Sequence, residues 1–118
     1  MQRRLALLAL LAPLAAAATP SATEQRLIDG LIARVAAMNG VRFVRNGRDY
    51  APADAAQFLR EKYKARADGV DTAEAFIERI ATKSSTSGQA YVIREANGRE
   101  RPAAEVLRAE LAQLRAQR

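Results

Sequence analysis

Two Asn-Gly dipeptides, Asn46-Gly47 and Asn97-Gly98, constrain the fold of this chain more than any other feature. Asn and Gly tolerate φ > 0, which the type I′ turn of a tight hairpin requires at both central residues. The first sits inside Val41 to Tyr50, and the second follows the β-branched and aromatic run Tyr91 to Glu95. Each is soon followed by a proline, Pro52 or Pro102, a residue suited to the first position of a helix. Around the hairpins, four stretches carry apolar residues at three- and four-residue steps, the spacing of one helix face. The first holds Leu27, Ile28, Leu31, Ile32, Val35 and Met38, and the second Ala55, Ala56, Leu59 and Tyr63, with Phe58 beside them. The third holds Phe76, Ile77, Ile80 and Ala81, and the fourth Val106, Leu107, Leu111 and Leu114. The expected fold is therefore α+β: four helices with two short antiparallel β-hairpins, in the order α-ββ-α-α-ββ-α, packed on one or two small sheets.

Local signals sharpen this. Ser21-Ala22-Thr23-Glu24 is a capping box that starts the first helix, and Asn39-Gly40 ends it. Gly30, inside that helix, costs about 1 kcal/mol relative to Ala and permits close packing. The second helix is expected from Pro52 to about Ala67. Arg60, Lys62, Lys64 and Arg66 alternate through its last turns and read as a solvated face whose charges complement the helix dipole. Asp71 or Thr72 caps the third helix, which ends near Thr82. In the first hairpin a two-residue loop sets Phe43 opposite Tyr50, which is favourable, but also Arg45 opposite Arg48, which is not, so the register stays open. In the second, a three-residue loop Ala96-Asn97-Gly98 sets Glu95 against Arg99 and Arg94 against Glu100. Opposite charges across the ladder favour it, with Gly98 at φ > 0.

The first 18 residues read as a segment apart. Met1-Gln2-Arg3-Arg4 is a basic start, and Leu5 to Leu14 is an apolar run too short for the roughly 20 residues of a membrane-spanning helix. Ala16-Ala17-Ala18 fits the small-residue pattern of a cleavage site. The expectation is a signal peptide over 1–18, cleaved near Ala18, and a single small α+β domain over 19–118 in the periplasm or outside the cell. No transmembrane segment is expected in the mature chain. Removing residues 1–18 lowers Lys+Arg from 19 to 17 against 13 acids, so the net charge falls from +6 to +4. So modest an excess, on an exported protein, gives no ground for a nucleic-acid partner.

The residue inventory bounds the chemistry. With no Cys and no His, thiolate nucleophiles, Cys/His zinc sites and Ser-His-Asp triads are excluded. The most distinctive polar stretch is Lys83 to Tyr91, KSSTSGQAY, between the third helix and the following strand. Its hydroxyls can close the helix end, and Gly88 can supply the bend. Hydroxyls, backbone N–H groups and nearby cations can equally hold an anion, a glycan or a peptide carboxylate. Catalysis would require a lysine of depressed pKa on a serine, yet Ser-x-x-Lys and G-x-S-x-G are both absent. The candidate binding residues are Arg45, Asn46, Lys62, Ser84, Ser85, Ser87 and Tyr91, with no catalytic or metal-ligating set and no cofactor. The expected role is a non-catalytic binding or interaction module for an envelope protein, a peptide or an anionic ligand. The alternatives are an envelope hydrolase using a Ser-Lys pair and an inhibitor-like protein presenting the loop.

Several elements together resemble a small family of exported bacterial proteins known only as a domain of unknown function. They are Phe43-x-Arg45-Asn46-Gly47, Tyr50, Ala55-Ala56-x-x-Leu59-x-x-Lys62, Thr72-Ala73-Glu74-x-Phe76-Ile77, Ser84-Ser85-x-Ser87-Gly88-x-x-Tyr91 and the Asn97-Gly98 turn. The serine element is the most specific of them. The resemblance implies export and a small α+β domain, and it implies no known reaction. The family position before Leu59 is often His; here it is Phe58, so any role of that imidazole is lost.

Overall fold

A computed structural model describes residues 19–117; the signal-peptide reading of residues 1–18 lies outside the described residues. The elements run α1 (Ala22–Ala36), β1 (Arg42–Arg45), β2 (Arg48–Tyr50), α2 (Pro52–Ala65), α3 (Ala73–Ile80), β3 (Val92–Arg94), β4 (Glu100–Pro102) and α4 (Ala103–Ala116). The expected order is observed. Of the one or two sheets expected, there is one: a four-stranded antiparallel sheet, ordered β2-β1-β3-β4. The two hairpins join through their inner strands, so Phe43 faces Ile93 across the seam.

Both turns follow from their sequences. Arg45 stands opposite Arg48 and Phe43 opposite Tyr50, with Asn46 at φ 52° and Gly47 at φ 79°, the type I′ signature. The aromatic pair and the Asn-Gly turn therefore outweigh the like charges. Arg48 relieves the conflict by lying over the Tyr50 ring, 5.8 Å from its centroid. At the second hairpin the three-residue loop is borne out: Arg94 pairs with Glu100, Glu95 N–H donates to Arg99 O at 2.8 Å, and Gly98 has φ 89°.

The helices form their apolar stripes into one core with the inner face of the sheet. Ile28, Leu31, Val35, Phe76, Ile77, Ile80 and Leu107 are fully buried, and Phe43 and Ile93 meet them from the sheet. Gly30 brings α1 close to α4, since a Cβ there would stand 3.4 Å from Leu114 Cδ1. Ser21 caps α1 by accepting from Glu24 N–H at 3.1 Å, and Thr72 caps α3 through Ala75 N–H at 3.0 Å. The Glu24 carboxylate also accepts from Ala73 N–H, at the start of α3, and from Arg115 of α4. Arg115 reaches Glu74 as well, so one charge cluster ties together the ends of three helices. Pro102 departs slightly from expectation. It closes β4 opposite Val92 and caps α4, whose first residue is Ala103.

Candidate functional site

Strand alternation decides where Arg45 goes. Successive side chains along β1 point to opposite faces, so Arg45 shares the helix-facing side with the buried Phe43. It lies at the end of the strand, where the core opens. Its guanidinium stacks over the Phe58 ring of α2 at 4.6 Å, and Nη1 reaches Tyr50 Oη at 3.5 Å. Its Nε is buried and has no hydrogen-bond partner.

Lys62 comes to the same place from α2. The reading of Arg60, Lys62, Lys64 and Arg66 as one solvated face fails at this residue, which is only 8% exposed. Four residues after Phe58 and four before Arg66, Lys62 sits on the helix face turned toward the sheet end. Its ammonium donates to Tyr91 Oη and to the Lys83 carbonyl, both at 2.8 Å. Burial, then the charges of Arg66 and Arg45, lowers its pKa to about 8. Burial also raises the pKa of the Tyr91 phenol, against the pull of Arg45. The Tyr91 ring packs edge-on against Phe58, with centroids 5.9 Å apart.

The serine loop forms the third wall. Ser84 is buried, and its hydroxyl is the hub of the loop: it accepts from Thr86 N–H at 3.2 Å and Ser87 N–H at 3.3 Å and bonds to Thr86 Oγ1 at 3.0 Å. A bridge between Lys83 and Ala90 closes the base of the loop, while residues 85 to 90 are exposed. Gly88 has φ 77°, and its N–H donates to Ser84 O. The loop is clasped to the first hairpin by Asn46, whose Nδ2 donates to Ser84 Oγ at 3.3 Å while its Oδ1 accepts from Ser87 Oγ. Two sequence elements about forty residues apart thus meet through one asparagine side chain.

Together these groups enclose a cleft of about 300 Å³ lined by Arg45, Phe58, Glu61, Lys62, Arg66, Ser84, Ser85, Thr86 and Tyr91. Five of the seven residues expected from the sequence line it, and the other two, Asn46 and Ser87, form the clasp beside it. Arg66, Phe58, Thr86 and Glu61 were not among those expected. The signal for the first two was present: positions 58, 62 and 66 share one helix face, so the burial of one argues for the direction of all three. Glu61 is the one carboxylate lining the cleft, and it accepts from Gln57 at 2.9 Å. Among the described residues, Arg45, Lys62 and Arg66 form no ion pair. No group of acidic residues among those described could hold a metal ion, and no helix there is long and apolar enough to cross a membrane.

A model of a family of unknown function, DUF5329, matches residues 22–115. The uncharacterized protein YfeK of Salmonella typhimurium is 36% identical over 86 residues, covering 73% of this chain and 72% of the relative. No solved structure matches.

Proposed function

The chain belongs to the family of unknown function DUF5329, and from that premise we propose that it is an exported, non-catalytic binding module that captures an anionic group in the Arg45–Lys62–Arg66 cleft. One observation carries this reading. Three cations converge on a single cleft whose lining offers one carboxylate, and the buried Arg45 Nε there is left without an acceptor. A buried donor without a partner costs about 1–3 kcal/mol, and a small turn of the guanidinium that brings Nε to an oxyanion in the cleft would remove that cost. Arg45 supplies the planar donor edge suited to a carboxylate or phosphate, Lys62 a point charge and Arg66 a screened charge at the rim. The exposed Ser85 adds a neutral hydroxyl to the lining.

The Ser-Lys hydrolase reading needs a lysine ammonium on a serine Oγ. The ammonium of Lys62 is engaged by a phenol and a carbonyl, and the Ser84 hydroxyl by its own loop and Asn46. That arrangement favours holding over cutting. The inhibitor-like reading draws on the exposure of residues 85 to 90, but the clasp and the bridge tie that loop to the domain.

The test is a titration of sulfate, followed by amide NMR shifts, into protein purified from a periplasmic extract and N-terminally sequenced. Thr19 as the first residue and shifts confined to the cleft are expected. Lys62→Met and Arg45→Gln should each weaken binding by about 10- to 100-fold, the worth of one hydrogen bond to a charged group. Sulfate shifts of equal size in both folded variants would refute the site, and an intact N-terminus in the cytoplasm would refute export.

A further inference from the structure

Behind the cleft lies a second space. An apolar cavity of about 40 Å³ sits between the sheet, α2 and α4, walled by Phe43, Tyr50, Ala55, Leu59, Ala103 and Leu107. Arg45, Phe58 and Tyr91 line both this cavity and the cationic cleft, so the same three side chains form the partition between them. Interiors are packed with few gaps, and a partly open apolar recess left beside a ligand cleft calls for an explanation. Water is a poor occupant. A buried water needs two to four polar partners, and the cavity walls are mostly apolar side chains. On the scale by which an apolar cavity of about 150 Å³ takes up benzene, this space is room for one or two carbons.

We propose that the ligand is a carboxylate whose α-carbon bears a one- or two-carbon apolar group, the carboxylate held by Arg45 and Lys62 and the apolar group entering the cavity past Phe58. This rests on the anion-binding reading above and narrows its ligand. Both ends of such a ligand answer something left open. Its oxygens give the Arg45 Nε an acceptor, and a planar carboxylate can meet Nε and a neighbouring guanidinium N–H side by side. Its methyl or ethyl group fills the void between Ala55, Leu59 and Leu107. The chemistry comes from two sources, a free short-chain acid or the C-terminus of a peptide ending in a small residue. The cavity volume excludes a long acyl chain and a large terminal side chain.

The experiment titrates the unmodified sequence with sulfate, N-acetylglycine, N-acetylalanine, N-acetylleucine and butyrate, following methyl NMR signals of Leu59, Leu107 and Ala55. N-acetylalanine should bind about fourfold more tightly than N-acetylglycine, the worth of one buried methyl, and should shift the three cavity methyls. N-acetylleucine should gain nothing over N-acetylglycine. Butyrate matching N-acetylalanine would support the proposal with a free acid as the source; weaker butyrate binding would support it with a peptide terminus. Equal affinity for N-acetylglycine and N-acetylalanine, with sulfate still bound and the cavity methyls unmoved, would overturn this inference and leave the anion site standing. No binding of any anion would remove both.

Discussion

At the scale of single residues, Lys62 is the most informative position. A buried ammonium is costly, and Arg66 and Arg45 beside it add repulsion, so its pKa falls from 10.5 to about 8. Between those values the unfolded chain holds more protons than the folded one, so stability rises with pH from about 8 upward. Burial raises the pKa of Tyr63 and Tyr91, so above about pH 10 the unfolded state loses their protons first and the trend reverses. Urea unfolding at pH 7.5 and 10 should show a gain on the order of 2 kcal/mol, and Lys62→Met should abolish it. Anion binding should run the other way, weakening as pH passes 8 and the ammonium loses its charge. A stability profile of Lys62→Met parallel to that of the parent would show that Lys62 is not the group titrating. Lys62 was legible as a candidate but its burial was not, because alternating cations late in a helix suit a solvated face and burial depends on which face the sheet end meets. Arg45 was legible as a candidate, but its orphaned Nε was not, since that depends on strand register.

Among the elements, the serine loop and the first hairpin act as one unit through Asn46. The same residue supplies the left-handed turn at φ 52° and the bonds to Ser84 and Ser87. The two roles separate by substitution. Asn46→Gly keeps the turn and loses the clasp, and it should cost about 1 kcal/mol in urea unfolding. Asn46→Ala loses both and should cost about 1–2 kcal/mol more, since an ordinary side chain resists φ > 0. Equal losses in the two variants would mean that the turn conformation contributes nothing measurable. The elements themselves were largely legible. The apolar stripes gave the four helices, and charge across the ladder gave the Ala96-Asn97-Gly98 loop. What they could not give was the clasp, because nothing local to Asn46 or Ser84 indicates that residues about forty apart will share hydrogen bonds. The register at Arg45 and Arg48 was likewise undecided until the ring of Tyr50 offered Arg48 a place to rest.

For the whole molecule, the sheet order β2-β1-β3-β4 places the first hairpin entirely on one side of a seam and the second entirely on the other. The sequence shows helix, hairpin, helix twice, but not that the hairpins join edge to edge, since that pairing is set by Phe43 and Ile93 meeting on the core face. The site lies across this seam, with Arg45, Asn46 and Lys62 from the first half and Ser84 and Tyr91 from the second. The turn at Asp68-Gly69 between α2 and α3 is the natural place to divide the chain. Neither 19–68 nor 69–118 should hold its helices alone, because each leaves one face of its hairpin and its helices uncovered. Mixed, they should regain helical circular dichroism, and failure to do so would show that the loop at 66–72 is needed for folding. Success would make this small domain a split reporter: two fragments that remain silent apart, reassemble when brought together, and regain ligand capture only on reassembly, because neither fragment owns a complete site.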